Sequence, residues 1–339
     1  MSKILLTGGS GFIAAHILEQ LVAQGHTVIT TVRTQDKAQP ILDKFASTNR
    51  VQTFIVPDMV REDALDEVAQ TPGLQAVFHT ASPFHYNFTD PDRELVAPAV
   101  SGTVGILGAL KRHAPTVKRV ILTSSFAAML DEKGLWDPTR TFDEESWNPD
   151  GVEALDRSPN TAYRVSKKLA ERAAWDFMRD EKPAFDLVVV NPVLVLGPTA
   201  HYVPSSDAIN TSNQRFVDLL KGKWRERIPE TDDIQLWVDV RDAAKAHVVA
   251  LEKPDAGGRR LLVTAGDFSH CDIVQAVRSR FPEYAERLPG PDTSGGARIP
   301  TEQRFKWNVE KTNQLLKIEY ISLEQSVVDI ISILKEHGI

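Results

Sequence analysis

Cysteine is scarce in this sequence, with a single residue, Cys271, among 339. One thiol forms neither an intramolecular disulfide nor a cysteine-based zinc site. This scarcity is typical of proteins that work in a reducing compartment, where disulfides are rare. We therefore expect a cytoplasmic protein without a metal site, in which Cys271 is a small apolar filler.

The sequence also lacks a long apolar run and an excess of positive charge. No uninterrupted apolar stretch reaches the roughly 20 residues of a membrane-spanning helix. The N-terminal residues resemble the start of a secretory signal, but a glycine cluster and Glu19 interrupt the pattern. The formal net charge is −7, so the protein lacks the positive field that nucleic-acid binding needs. We expect neither a membrane nor a nucleic acid as a partner.

The first half of the chain alternates short apolar runs with longer helical patterns. The runs predict buried strands at Ile4–Thr7, Thr27–Val32, Val51–Val56, Ala76–His79, Arg119–Thr123 and Leu187–Asn191. The stretches between them predict helices at Phe12–Gln24, Asp36–Phe45, Glu62–Gln70, Arg93–Arg112 and Ala162–Arg179. The runs are continuously apolar, as expected for strands covered by helices on both faces. The pattern predicts an α/β fold with a doubly wound parallel (Rossmann) sheet.

The second half is less regular and contains more proline and glycine. Trp237–Val240, followed by a helical pattern, predicts a further strand that returns to the main sheet. We expect a Rossmann domain and a smaller mixed α/β lobe that binds substrate. The expected boundaries are 1–196, rejoined by about 234–265, for the Rossmann domain, and 197–233 with 266–339 for the lobe.

A glycine-rich turn follows the first predicted strand, from Thr7 to Ala14. Read from Gly9 it is G-x-G-x-x-A, and read from Gly8 it is G-x-x-G-x-x-A. Glycine permits a sharp turn and lets the backbone approach a pyrophosphate, while Ala14 lets the helix pack close to the sheet. The free amides and the dipole of the helix N-terminus then favour the anion. The motif predicts a dinucleotide site because it lies in a strand–turn–helix unit.

The end of the second strand indicates which nicotinamide cofactor binds. An NAD site places an Asp or Glu there to accept from the ribose 2′-hydroxyl. Here Arg33 follows the strand and Lys37 comes four residues later, with no acid at the strand end. Each charge-assisted contact to a 2′-phosphate contributes roughly 1.5–3 kcal/mol. The pattern therefore predicts NADPH. Asp58, after the third strand, is placed either to bind the adenine amino group or to cap a helix.

The chemical centre is predicted from a tyrosine–lysine pair and a serine pair. Tyr163 and Lys167 are four residues apart and share one helix face. A cation beside a phenol lowers its pKa from about 10, so Tyr163 can protonate the alkoxide that forms when hydride reaches a carbonyl. Ser124 and Ser125 end the fifth strand, at the edge where ligands bind in such sheets. A serine hydroxyl there can position the substrate oxygen.

These motifs together resemble the extended short-chain dehydrogenase/reductases. Within that family the chain is similar to the fungal NADPH-dependent methylglyoxal reductases and related aldehyde and ketone reductases, which in turn resemble plant dihydroflavonol reductases. The resemblance covers essentially the whole length. Beside the three motifs it rests on 79–84, 122–125, 144–149, 191–198 and 237–242.

The resemblance implies a role for each matching residue. Ser125 is expected to be the catalytic serine, Tyr163 the proton donor, and Lys167 the residue that binds the nicotinamide ribose and tunes Tyr163. The residues expected to bind the cofactor are Gly8, Gly9, Ser10, Gly11, Phe12, Ile13, Arg33, Lys37, Asp58, Met59, Thr80, Ala81, Tyr163, Lys167 and Val195. Relatives often carry Asn in the long helix where this chain has Ser101, so the support of Lys167 is open.

The expected substrate is a small uncharged ketone, aldehyde or keto ester. Residues near the motifs are mostly apolar, which suits such a carbonyl better than a nucleotide-sugar. The expected pocket residues are Phe84, Tyr86, Phe126, Val193, Tyr202 and Trp224.

Two other functions are compatible with parts of the pattern. A nucleotide-sugar epimerase or dehydratase of the same fold is expected to hold NAD, which Arg33 and Lys37 argue against. A non-catalytic NADP-sensing regulator can dispense with the tyrosine–lysine pair, which this chain keeps. The long predicted helices at Arg93–Arg112 and Ala162–Arg179 are covered either by the second subunit of a homodimer or by solvent.

Overall fold

The computed structural model describes residues 1–61, 63–82, 88–200, 209–231 and 234–338. Strands alternate with helices along the first two thirds of these residues. The strands are β1 (Lys3–Thr7), β2 (Thr27–Val32), β3 (Val51–Ile55), β4 (Leu74–His79), β5 (Arg119–Thr123), β6 (Thr141–Phe142), β7 (Asp186–Pro192), β8 (Leu194–Leu196), β9 (Leu236–Asp239), β10 (Arg260–Val263), β11 (Gly266–Asp267) and β12 (Lys306–Trp307). The helices are α1 (Phe12–Ala23), α2 (Gln35–Phe45), α3 (Asp66–Ala69), α4 (Ala97–His113), α5 (Glu132–Leu135), α6 (Pro159–Glu181), α7 (Gln214–Leu220), α8 (Val240–Glu252), α9 (His270–Arg280), α10 (Glu310–Leu316) and α11 (Leu323–Glu336).

Seven parallel strands form the central sheet, in the order β10-β7-β5-β4-β1-β2-β3. The chain starts at β1, builds outward through β2 and β3, then crosses back to β4 and builds outward on the other side. The strand order therefore reverses between β1 and β4. In such sheets ligands bind outside the carboxyl ends of the strands at this point. The predicted doubly wound Rossmann sheet is confirmed.

Both faces of the sheet are buried, which explains why its strands are continuously apolar. In β1, Ile4 and Leu6 lie in a core that includes residues of α1 and α8. Leu5, between them, lies in the opposite core, which includes residues of α3, α4 and α6. All three side chains are 0% exposed. Complete burial of such a side chain stabilises the fold by roughly 1.5–3 kcal/mol, so both helical layers are held by the same short strands.

A second sheet lies beside the first and contains β8, β9 and β11. A separate apolar core adjoins it, with residues of α7, α9 and α11 packed around Phe216 and Phe268. The prediction that Trp237–Val240 returns to the main sheet is wrong, because β9 pairs with β8 and β11. The strand that returns to the main sheet is β10, which pairs with β7. A four-residue apolar run has the same pattern in either sheet, so its partner depends on contacts distant in sequence.

One predicted helix is much shorter than expected. Where the sequence predicted Glu62–Gln70, whose first residue lies outside the described residues, the helix is α3, Asp66–Ala69. Among the described residues of this stretch, Leu65, Val68 and Ala69 are buried in the core and Ala64 packs partly buried against it. This is enough apolar surface for about one helical turn.

In the described part of the chain, one helix is long and apolar enough to cross a membrane. It runs from Asp92 to His113, through a π-helical turn and α4. Half of its apolar 18-residue stretch is buried inside the protein. A core helix of a globular protein passes the same test of length and composition, and α4 packs against α6 and α3.

Candidate active site

The turn between β1 and α1 requires glycine at two positions. Gly8 has a φ of +74°, which L side chains rarely adopt. Gly9 lies so close to β2 that a Cβ there would be 2.0 Å from the Oγ1 of Thr30. The amide of Gly11 donates to the carbonyl of Gly8 at 2.8 Å and closes the turn. The backbone therefore packs directly on the sheet, as close approach to a pyrophosphate requires.

The N-terminus of α1 follows this turn and is open to an anion. Its N-cap, Gly11, has no side chain that could accept a hydrogen bond from the first-turn amides, and that turn contains no acidic residue. Such amides are unpaired within the helix, and the helix dipole adds positive potential there. Ser10, Phe12 and Ile13 are half-buried around this end. The arrangement fits a phosphate group.

Two cations lie at the end of β2. Arg33 and Lys37 are both exposed and form no side-chain hydrogen bond or ion pair with the described residues. Asp58, after β3, is exposed and its Oδ1 accepts from the Val60 amide at 2.9 Å in a local turn, while Met59 packs partly buried on the core below. The basic pair is therefore available to a 2′-phosphate.

Thr7 ties the ends of β1 and β4 together across the point where the strand order reverses. Its Oγ1 accepts from the amides of Thr80 and Ala81, both at 3.2 Å, and its carbonyl accepts from the Thr80 hydroxyl at 2.5 Å. Ala81 lies against the glycine turn, because a Cβ on Gly8 would be 2.9 Å from the Cβ of Ala81. The expected cofactor residues of the two strand ends therefore line one crevice.

Tyr163 and Lys167 lie on the second and third turns of α6. The Ser158 side chain caps this helix by accepting from the Thr161 amide at 3.1 Å. The Nζ of Lys167 lies 5.6 Å from the centre of the Tyr163 ring. It donates a hydrogen bond of 3.0 Å to the Oγ of Ser82, just after β4. Burial lowers the pKa of Lys167 to about 8. The tyrosine–lysine pair is therefore adjacent to the crevice.

His79, at the end of β4, is a buried neutral residue. Burial, together with the nearby Lys167 charge, lowers the pKa of His79 to about 4. Its Nδ1 lies 2.9 Å from the Thr7 Oγ1. His79 and Lys167 line a small cavity of about 10 Å³ with Thr103, Ser124 and others. At neutral pH, Lys167 is thus the charged group of this pair.

The structure distinguishes the two serines at the end of β5. Ser124 is buried and donates its hydroxyl to Glu171 at 2.6 Å. Ser125 is half-buried, and its Oγ accepts from the Ala127 amide at 3.1 Å. The hydroxyl hydrogen of Ser125 can therefore still be donated to a substrate oxygen, whereas that of Ser124 is already used.

Six residues were expected to form the substrate pocket. Three of them, Phe84, Tyr86 and Tyr202, lie outside the described residues. Phe126 is 1% exposed and packs against Phe142 and Phe305, with ring centres 5.7 and 5.8 Å away.

Trp224 is 4% exposed in the core beside the second sheet, where its ring stacks 4.7 Å from that of His270. The rings of Phe126 and Trp224 are therefore both packed in apolar cores, and their place in the pocket wall stays a prediction. Val193 is buried just beyond β7, and Val195 is half-buried in β8, where its carbonyl accepts from Ser212 at 2.6 Å.

The sequence left the support of Lys167 open. Ser101 is exposed on α4, whereas the hydroxyl that Lys167 reaches belongs to Ser82. The sequence interpretation also missed the buried Glu171 and its partner Arg260. The spacing of Glu171, four residues beyond Lys167 on the same helix face, was a signal for the first. No local pattern pointed to Arg260.

The geometry agrees with comparisons to known proteins. A family model for the NAD dependent epimerase/dehydratase family matches residues 4–265. The chain belongs to this family. Within the epimerase/dehydratase family it is 40% identical to the ketoreductase azaE of Aspergillus niger, over 99% of this chain and 98% of the relative. It is 37% identical to the NADPH-dependent methylglyoxal reductase GRE2 of Saccharomyces cerevisiae, over 99% of both.

A solved structure is also similar over nearly the whole chain. The crystal structure of yeast methylglyoxal/isovaleraldehyde reductase Gre2 complexed with NADPH has a TM-score of 0.87 and 36% identity, covering 99% of both chains. The resemblance to the extended short-chain dehydrogenase/reductases and their fungal members, inferred from the motifs, is thereby confirmed. Among the described residues, no group of three or more His, Cys, Asp or Glu side chains could hold a metal ion.

Proposed function

We propose that this chain reduces a small ketone or aldehyde to the alcohol with NADPH. The observation that carries the proposal is the hydrogen bond from Lys167 on α6 to Ser82 after β4. This contact holds the tyrosine–lysine pair beside the crevice at the carboxyl ends of β1 and β4. The names of the fungal relatives, a ketoreductase and an NADPH-dependent methylglyoxal reductase, support the same reaction.

The residues of the crevice fit NADPH. At Gly9 the backbone turn lies so close to Thr30 that no side chain fits between them. The uncapped N-terminus of α1 favours a pyrophosphate. Arg33 and Lys37 would hold the 2′-phosphate, and the backbone of Val195 the nicotinamide carboxamide. When bound, NADPH supplies a hydride to the carbonyl carbon.

Three side chains would manage the proton and the substrate oxygen. Tyr163 donates its phenolic proton to the oxygen as negative charge develops there. Lys167, with a pKa of about 8, is protonated at neutral pH, so its ammonium lowers the pKa of the neighbouring phenol. Ser125 donates a hydrogen bond to the same oxygen and fixes its orientation.

The proposal also covers the domain division, the location and the oligomeric state of the protein. We place the cofactor on 1–196 with about 234–265 and the substrate on the lobe of 197–233 and 266–339. Val193 would form part of the apolar wall next to the carbonyl carbon. A cytoplasmic location and a homodimer through α4 and α6 complete the proposal; sedimentation at several concentrations would test the dimer.

A panel of small ketones, aldehydes and diketones, each incubated with NADPH, tests the function. Steady oxidation of NADPH with formation of the alcohol is expected, and replacement of NADPH by NADH should lower the rate. Turnover of a nucleotide-sugar without net loss of NADPH would point to an epimerase instead. Tight binding of NADPH without turnover of any carbonyl would point to a sensor.

A further inference from the structure

Glu171 is a buried carboxylate on the catalytic helix. It lies on α6 one turn beyond Lys167 and two turns beyond Tyr163, so the three side chains follow one face of the helix. The residue is 1% exposed. A charge at this depth is costly unless it is paired and hydrogen-bonded, and the partners of Glu171 are therefore informative.

One oxygen of Glu171 binds the ends of two strands. Its Oε2 accepts from the Ser124 hydroxyl at 2.6 Å and from the Nδ2 of Asn191 at 2.8 Å. Ser124 follows β5 and Asn191 lies in β7. The same Nδ2 lies 3.1 Å from the carbonyl oxygen of Ser125 and donates to it as well. The carboxylate thus connects α6 directly with the backbone that presents Ser125.

The other oxygen is neutralised by a buried arginine. Its Oε1 accepts from the Nε of Arg260 at 2.5 Å, and the arginine side chain is 8% exposed. The Nη1 of Arg260 donates to the carbonyls of Glu144 and Ser146, at 2.9 and 2.5 Å. Its guanidinium lies 3.7 Å from the ring centre of Trp147. Arg260 is therefore fixed from several sides and holds Glu171 in turn.

Stability alone does not account for this arrangement. Well-packed apolar side chains often replace a buried ion pair with no loss of stability. This pair adjoins a small cavity that Lys167 and Glu171 of α6 line together with Ser124 at the end of β5. The two elements that carry the proposed catalytic residues therefore meet at this cavity. A misplacement of about 1 Å in such a site can lower the rate by roughly 100-fold.

We propose that Glu171 is a positioning residue for carbonyl reduction. It sets the face of α6 that carries Tyr163 and Lys167 against the strand end that carries Ser125, and Arg260 keeps its carboxylate in place. The inference rests on the proposed function, because it assigns Glu171 a role in that reaction.

Two variants of Glu171 test the role in the full-length protein with NADPH. Glu171→Met keeps the approximate volume but removes both oxygens, and kcat should fall by about 100-fold. Glu171→Gln keeps one acceptor oxygen for Ser124 and Asn191, and should recover about tenfold of that loss. The Kd for NADPH should stay within about threefold of wild type in both. A role in stability alone predicts a lower Tm with kcat per folded molecule unchanged.

Asp242→Asn is the matched control. Asp242 is also buried, but it lies on α8, where its Oδ2 accepts from the amide of Ile321 at 2.7 Å. The Tm of this variant should fall, while its kcat stays within about twofold of wild type. Wild-type kcat in folded Glu171→Met would overturn the proposal while leaving the reductase function intact. If the wild-type chain reduced no carbonyl, the proposed function and this role would fail together.

Ser124→Ala covers the case in which the Glu171 variants do not fold. It removes one hydroxyl and leaves the ion pair with Arg260 intact. We expect kcat to fall by about three- to tenfold with the Kd for NADPH unchanged. A kcat equal to that of wild type would show that the contact between α6 and β5 does not position the site.

Discussion

The ammonium of Lys167 donates a hydrogen bond of 3.0 Å to the hydroxyl of Ser82. This contact crosses from α6 to the segment after β4 and joins residues 85 positions apart in sequence. It places the only charge of the tyrosine–lysine pair next to the crevice of the parallel sheet. This one hydrogen bond therefore connects the tyrosine–lysine pair with the cofactor crevice. The effect of losing it can be measured through the titration of Lys167.

Ser82→Ala should shift the pH dependence of the reaction. Burial has already lowered the pKa of Lys167 from 10.5 to about 8, and an acceptor favours the charged form. Without the hydroxyl the pKa falls further, so kcat/KM for NADPH declines at a lower pH than in wild type. Profiles between about pH 6 and 9 would detect this. Ser101→Ala, on the exposed side of α4, should leave the profile unchanged; identical profiles for Ser82→Ala and wild type would contradict the argument.

Tyr163→Phe should lower kcat by roughly 10²–10⁴ because it removes the proton donor. The affinity for NADPH, measured by fluorescence titration, should change little. Tyr320→Phe is a suitable control, because that hydroxyl contacts Asn313 near the C-terminus at 3.1 Å. Comparable rates for Tyr163→Phe and wild type would exclude the phenol from the mechanism.

Much of the fold and part of the site follow from local sequence. The continuous apolar run of β1 predicts a strand buried on both faces, and the glycine turn after it predicts the cofactor crevice. Phe126 was expected at the pocket because it follows Ser125 in sequence, and in the structure its ring packs against Phe142 and Phe305. Nothing near Phe126 in sequence specifies those partners.

Contacts distant in sequence account for what local sequence did not predict. Arg260 binds Glu171 from 89 residues away, and no local spacing predicts such a pair. The same holds for β9, whose apolar run is compatible with either sheet until β8 and β11 are present. Local sequence therefore predicts which elements form, and tertiary packing decides which of them meet.

Arg33→Ala should weaken NADPH binding selectively. The exposed guanidinium follows β2 and is free to contact a 2′-phosphate, a contact that contributes roughly 1.5–3 kcal/mol, or about 10- to 100-fold in affinity. NADH lacks that phosphate and should be affected little. The Kd values for both cofactors give the comparison, with Arg61→Ala, which removes an exposed ion pair with Asp63, as a control. Equal losses for the two cofactors would contradict the assignment of Arg33.

Gly9→Ala should abolish cofactor binding and lower stability. The added Cβ would lie 2.0 Å from the Oγ1 of Thr30, which is fully buried and donates to the Leu6 carbonyl at 2.9 Å. The turn must therefore move away from β2, and its amides lose their position. Gly105→Ala is the matched control: its Cβ meets nothing within 4 Å on α4, so the better helix former should stabilise by up to about 1 kcal/mol. Thermal unfolding and NADPH titration should separate the two variants. A wild-type Tm and Kd for NADPH in Gly9→Ala would show that the turn has room for a methyl group, and the argument for glycine there would fail.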